Sequence, residues 1–242
     1  ARKLGIPVTE TQHGIIDYGH IAYNYSKGLI ADQEKYFLPN YIFSFSEFWI
    51  DDINCPVDKV IPMGNSFFYN TNQPDTKNST TNGVVVASAN VFGEDLKEII
   101  VKLAAKQKDV PVYFKLHPNQ FAEQDYYKKE FEKYKNVTVF SNEKSIYELL
   151  NIARSVFVIQ STAVYEALHL KKTAIIYKRQ TYLGHKSVFD TPNVYLIDNE
   201  DELLTALDKK FEEQDSGNDL FFKNFDVDLF KKFMINKSNI IA

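Results

Sequence analysis

The segment Ser155 to Tyr177, SVFVIQSTAVYEALHLKKTAIIY, decides the fold. Val156 to Gln160 is a short run rich in β-branched residues, Ser161 to Leu170 has helical length, and Thr173 to Tyr177 is apolar again. A strand, a helix and a strand in so short a stretch make a βαβ unit with parallel strands. Working outward, the same alternation runs from Gly83 to about Glu213. Strands are expected at Val84 to Ala89, Val112 to Leu116, Val137 to Phe140, Val156 to Gln160, Thr173 to Tyr177 and Val194 to Ile197, each apolar enough to be covered on both faces. Between them, Glu94 to Lys106 sets Leu96, Ile99, Ile100, Leu103 and Ala104 on one helical stripe, and Ser145 to Ala153 repeats the pattern with Ile146, Leu149 and Leu150. With helices at Ser161 to Leu170 and Asp201 to Glu213, residues 83–214 predict an α/β, Rossmann-like, doubly wound parallel sheet.

Upstream, residues 70–82 (NTNQPDTKNSTTN) are polar, contain a proline and hold no large apolar side chain, which predicts a linker. Within residues 1–69, Pro7 to Thr11 and Tyr41 to Phe45 read as strands. Two strands cover little apolar surface, so this portion is expected to be an incomplete N-terminal α/β region, the tail end of a domain. The sequence opens at Ala1 without an initiating Met, and the parent protein is expected to extend upstream. In residues 215–242, Phe221, Phe222, Phe225, Leu229, Phe230, Phe233 and Met234 recur at roughly helical spacing among lysines. They predict a C-terminal helix packing back on the domains, with a basic, aromatic helix at 220–241 lying peripherally on an anionic membrane face as the alternative.

Composition narrows the partners. The chain has 242 residues, 44% hydrophobic and 25% charged, enough for a substantial core. Its 28 Lys+Arg against 32 Asp+Glu argue against nucleic acid as a partner. No apolar run reaches the roughly 20 residues of a membrane span and no signal peptide is recognisable, so a cytoplasmic protein is expected. The single cysteine, Cys55, excludes an intrachain disulfide and a cysteine-cluster zinc site, and is expected to be a half-buried apolar residue.

In an open parallel sheet, ligands bind beyond the carboxyl ends of the strands, and three places there carry chemistry. In Lys115-Leu116-His117-Pro118, the proline closes the strand and leaves an imidazole able to donate to a phosphate oxygen. In Gln160-Ser161-Thr162, a strand runs straight into a helix. Ser161 or Thr162 is a natural N-cap, and the unpaired N–H groups and two hydroxyls also suit an anion. Glu166, one turn on, either answers the helix dipole or reaches a ribose hydroxyl. The third place is Thr9 to His20, dense in His, carboxylate and Gly. Its histidine spacing matches no common metal site, whereas Glu10, His13 or Asp17 could take a proton from an attacking hydroxyl.

The order Gln12-His13-Gly14, Lys115-Leu116-His117-Pro118, then Gln160-Ser161-Thr162 followed by Tyr165-Glu166-Ala167-Leu168 resembles the C-terminal part of GT-B glycosyltransferases of bacterial capsule and lipopolysaccharide synthesis. It is similar both to the sialyl-, polysialyl- and Kdo-transferases and to the CDP-glycerol glycerophosphotransferases. Gln12 replaces the tryptophan of the latter, and Gln160 stands where Asp often precedes the serine pair. The resemblance implies a nucleotide-sugar donor (CMP- or other) held by His117, Pro118, Ser161, Thr162 and Glu166. It implies catalysis by His117 with one of Glu10, His13 and Asp17 across an inter-domain cleft. It further implies a glycan or lipid-linked glycan acceptor on the side of residues 1–69, no cofactor and no metal requirement. A glycerophosphotransferase, a non-hydrolysing nucleotide-sugar epimerase and a non-catalytic nucleotide-binding module are the alternatives.

Overall fold

The computed structural model describes residues 1, 4, 6–17, 19–20, 22–25, 38–66, 81–89, 92–179, 181–212 and 220–235. Most of the predicted linker and both ends of the 215–242 segment lie outside the described residues. The chain divides into two compact units, Ala1–Gln73 with Ser216–Ala242, and Pro74–Asp215.

The second unit is built on six parallel strands, β4 (Val84–Ala87), β5 (Val112–Lys115), β6 (Val137–Phe140), β7 (Ser155–Val158), β8 (Thr173–Tyr177) and β9 (Val194–Ile197). They lie in the order β6-β5-β4-β7-β8-β9. The chain walks outward from β4 to β6, returns to the far side of β4 and walks outward again, so the topological switch lies between β4 and β7. Val84 sits opposite both Val112 and Ser155, so β5 and β7 leave the sheet at the same level. The strands are buried because both faces are covered. Val84, Val86, Phe114, Phe157 and Ile175 pack in one core with Leu96, Ile99, Ile100 and Leu103 of α1 (Gly93–Lys106) and Leu203 and Leu207 of α5 (Glu200–Leu207). Each such side chain contributes about 1.5–3 kcal/mol when fully buried.

The expected elements are present with trimmed ends. β4, β5 and β7 stop one or two residues early, and α5 ends at Leu207 rather than Glu213. The apolar stripe of α5 gives way there to Asp208-Lys209-Lys210, which have nothing to bury. Helix α3 (Ile146–Ile152) begins after Ser145, whose hydroxyl accepts the Glu148 N–H while Glu148 accepts the Ser145 N–H. Between β5 and β6 the structure places the 3-10 helix Pro118–Glu123 and α2 (Gln124–Glu130). There Tyr127 and Phe131 bury their rings 5.1 and 5.8 Å from that of Phe114. α4 (Ala163–His169) has seven residues rather than ten, starting after Thr162 as N-cap and stopping before Lys171, which turns into the left-handed region at φ 57°.

In the first unit the expectation of two strands needs correction. Three parallel strands, β1 (Thr9–Thr11), β2 (Tyr41–Ser44) and β3 (Lys59–Pro62), pair in that order. β3 escapes a sequence reading because only Val60 and Ile61 are apolar and Pro62 cannot donate to a ladder. Helix α6 (Val227–Ile235) buries Phe233 edge-on against Tyr41 and Phe43, at 4.9 and 5.1 Å, with Phe225, Leu229 and Phe230 alongside. The aromatic residues of the C-terminal segment thus serve this unit's own core. Leu220, Met234 and Ile235 remain exposed. Among the described residues, no helix is long and apolar enough to cross a membrane.

Gly64 follows β3 with φ 93°, and a Cβ there would sit 2.3 Å from the Asn224 carbonyl oxygen. Left-handed backbone and a clash against main chain add, so Gly64→Ala should destabilise this unit by at least about 2 kcal/mol. Trp49, the sole tryptophan, is buried here and donates its indole N–H to the Phe221 carbonyl at 2.7 Å. Its fluorescence in urea should therefore register an earlier midpoint in the variant.

Candidate functional site

His117 leaves β5 two residues beyond the strand end and caps the 3-10 helix opened by Pro118. The ring Nδ1 accepts the Asn119 N–H at 3.2 Å. A neutral imidazole that accepts at Nδ1 carries its proton on Nε2, and Nε2 has no partner among the described residues. The half-buried His117 therefore presents a hydrogen-bond donor at the carboxyl edge. The turn that carries it is anchored from below, where buried Gln120 accepts the Ser88 hydroxyl at 2.7 Å and so ties the loop after β5 to the loop after β4. Nearby, the half-buried Lys115 ammonium donates to the Ser141 carbonyl, and burial pushes its pKa down.

Ser161 follows β7 by three residues at the same edge. One strand, β4, separates β5 from β7, which puts their axes roughly 10 Å apart. The expectation of unpaired N–H groups here is met only in part. The Ser161 N–H donates to His185 Nε2 at 3.2 Å, and the Ala163 N–H donates to Ser161 Oγ at 3.2 Å. Thr162 is the residue whose N–H and hydroxyl have no partner among the described residues, and the Ser161 hydroxyl keeps its own proton to donate. A seven-residue α4 carries a short dipole, so the anion-binding capacity of this turn rests on those donors more than on the helix.

Glu166 lies on α4 and accepts the Tyr147 hydroxyl of α3 at 3.1 Å. Burial drives its carboxyl up to about 7, against the smaller opposing effect of that hydrogen bond. Burial and the Glu166 charge together push the Tyr147 phenol far above its ordinary value. This pair is a carboxyl poised between protonation states beside the Ser161-Thr162 turn.

The first unit separates the three proposed proton acceptors by their surroundings. Glu10, on β1, accepts the hydroxyl of buried Tyr23, whose phenol is held well above its usual range by burial and by that carboxylate. Asp17 accepts the Gly19 N–H at 2.8 Å in a local turn. His13 is exposed and has no hydrogen-bond partner among the described residues. Its neighbour Gln12 is buried and braces the loop, donating to the Gly14 carbonyl and accepting the Phe45 N–H, both at 2.9 Å. Cys55 is half-buried, as expected, and burial raises its thiol to about 11.

The residue that sequence reasoning missed is His185, fully buried in the 3-10 helix Tyr182–Val188 after β8, with its pKa lowered by burial to about 4. No spacing marks it. Following the carboxyl-end rule to β8 as well as to β5 and β7 would have led to this segment.

Residues 80–185 match a family model described as capsule polysaccharide biosynthesis protein, a span that holds His117, Pro118, Ser161, Thr162, Glu166 and His185. A search of curated proteins returns no match. The fold is similar to that of UDP-GlcNAc 2-epimerase from Neisseria meningitidis bound to UDP-GlcNAc, at 15% identity and TM-score 0.55, over 84% of this chain and 61% of that one. It is also similar to the S. aureus MnaA–UDP co-structure, at 10% identity and TM-score 0.62, over 97% of this chain and 68% of that one. A third is the Methanocaldococcus jannaschii UDP-GlcNAc 2-epimerase in complex with UDP-GlcNAc and UDP, at 18% identity and TM-score 0.60, over 93% and 67%. The chain thus spans 61% of the first of these proteins, and the likeness establishes a shared α/β, Rossmann-like architecture.

Because the Glu166 carboxyl binds its proton more tightly folded than unfolded, the stability it adds is full below about pH 4.5 and is lost as pH rises through about 7. Glu166→Gln removes this loss. Calorimetric melting from pH 5 to pH 8 should show the variant gaining on the unmodified chain by about 1 kcal/mol per pH unit, up to near neutrality.

Proposed function

We propose that the Pro74–Asp215 unit is the nucleotide-sugar-binding half of a GT-B glycosyltransferase that moves a sugar from a nucleotide-activated donor to a surface glycan in capsule or lipopolysaccharide synthesis. The observation that carries this reading is the capsule-synthesis match over residues 80–185, which contains the carboxyl-edge donors His117, Ser161 and Thr162. In this reading the His117 Nε2–H, the Thr162 N–H and the two hydroxyls receive the donor phosphate. As the bond to the sugar breaks, negative charge grows on the leaving phosphate oxygen and these fixed donors strengthen. A preorganised donor of this kind contributes on the order of 3 kcal/mol to lowering a barrier. Glu166 is assigned to a ribose hydroxyl, which it can meet as acceptor when ionised or as donor when protonated. Pro118 shapes the His117 turn and makes no hydrogen bond of its own through nitrogen.

For the acceptor hydroxyl, His13 is the proposed base. Glu10 and Asp17 each already accept a hydrogen bond on one carboxylate oxygen, from Tyr23 and Gly19, whereas the exposed His13 imidazole has no partner among the described residues. The acceptor is proposed to be a glycan or lipid-linked glycan. Among the described residues of 220–241, Leu220, Met234 and Ile235 are the exposed large apolar side chains available to a peripheral membrane contact, while Phe233 is buried.

A second reading, a non-hydrolysing nucleotide-sugar epimerase, draws on the fold likeness to UDP-GlcNAc 2-epimerases. It predicts interconversion of a nucleotide-sugar with no acceptor present, whereas the glycosyltransferase reading predicts none. A glycerophosphotransferase would transfer from CDP-glycerol instead of a nucleotide-sugar.

Thermal-shift and calorimetric titration of the chain with CMP, CDP, UDP and GDP tests the nucleotide reading. A nucleotide at 100 times its Kd should raise stability by about 2.7 kcal/mol. His117→Ala should weaken that nucleotide by roughly 10–100-fold, the worth of a hydrogen bond to a charged group, with the fold intact. Undiminished affinity in this variant would sink the assignment of His117.

A further inference from the structure

The floor of the Ser161-Thr162 turn is formed by a side chain that the proposed phosphate contacts do not use. His185 is fully buried, and its Nε2 accepts the Ser161 N–H at 3.2 Å. An imidazole accepting at Nε2 carries its proton on Nδ1. That Nδ1 is itself buried and has no hydrogen-bond partner among the described residues. The segment bearing His185 is clasped to α4 by Tyr165, whose ring lies 5.9 Å from the imidazole and whose hydroxyl meets Ser187 Oγ at 3.1 Å. A buried N–H without a partner is costly, and an apolar side chain would fill the same space without stranding one. Packing therefore does not account for an imidazole here, and its bond to Ser161 does. Burial keeps the ring neutral, so the acceptor persists at neutral pH.

We infer that His185 is a positioning residue, pinning the Ser161 peptide from the core side so that Thr162 N–H and the Ser161 and Thr162 hydroxyls are the donors left for a ligand phosphate. The inference rests on the phosphate reading of this turn given under Proposed function. With His185 removed, the Ser161 N–H loses its acceptor and the Gln160–Ser161 peptide is free to rotate. The phosphate contacts loosen, while contacts to a base or ribose elsewhere on the edge do not. A merely structural histidine would affect all parts of a nucleotide alike.

The test is a calorimetric titration of the unmodified chain, His185→Ala and His185→Gln with CDP and UDP, and with cytidine and uridine. His185→Ala should weaken the preferred nucleoside diphosphate about tenfold or more and leave the matching nucleoside unchanged. His185→Gln, whose amide oxygen can take the place of Nε2, should stay within about threefold of the unmodified chain. Equal losses for diphosphate and nucleoside, or no loss for either, overturn the inference. Should His185→Ala fail to fold, nitrogen NMR of the unmodified chain decides, with the proton expected on Nδ1 of His185, and a proton on Nε2 overturning the inference. If neither diphosphate binds the unmodified chain while the tautomer is as expected, the phosphate reading falls, and the inference falls with it.

Discussion

The parallel pairing of β4 with both β5 and β7 is the constraint on which the rest of the second unit depends. Because Val84 registers with Val112 on one side and Ser155 on the other, the three strands end level, and everything that follows them emerges at one edge. Two residues beyond β5 stands His117, and three beyond β7 stands Ser161. They are 44 positions apart in sequence, and the sheet brings them to one edge. A shift of one residue in either pairing would reverse which face each strand residue meets and would take Phe114 or Phe157 away from the cluster it shares with α1 and α5. The apolar packing that secures the register is therefore also what sets the level of the site.

On that frame, local hydrogen bonds decide which polar groups are left for a ligand. The Asn119 N–H takes Nδ1 of His117 and so puts the proton on Nε2. His185 takes the Ser161 N–H, and Ser161 Oγ takes that of Ala163, so the free donors gather at Thr162 and at the hydroxyls. Each satisfied group is one that the folded chain need not leave stranded. Among the described residues, what remains unsatisfied at His117 and the Ser161-Thr162 turn is donor-rich, which suits an anion. Glu166 stands apart from this pattern as a carboxyl whose burial brings it close to its midpoint at neutral pH.

Much of this was legible in the residues themselves. The βαβ alternation around Ser155 to Tyr177 carried the sheet, because strands covered on both faces show as continuous apolar runs. The proline after His117 and the hydroxyl pair before α4 marked the edge, because both residue types belong at strand and helix ends. β3 was not legible, since Val60 and Ile61 flanked by Lys59 and Pro62 are too few apolar residues to show a period. Nor was His185, whose importance comes from a contact to a backbone N–H 24 positions away that no spacing rule encodes. The choice among Glu10, His13 and Asp17 was likewise closed to sequence. Under the proposed function it turns on what each side chain already meets, as Glu10 meets Tyr23 through a loop contact.

In the proposed function, the carboxyl edge around the β4–β7 switch receives the phosphates of a nucleotide through His117 and the Ser161-Thr162 turn. The most direct test is amide mapping by NMR, in which the nitrogen-labelled chain is titrated with CDP and with UDP. Saturable shifts should concentrate at the amides of His117, Asn119 and residues 161–163, with the Thr162 amide moving downfield as it meets a phosphate oxygen. Shifts confined to other parts of the unit, with the Thr162 amide and the His117 ring unmoved at saturation, would contradict it.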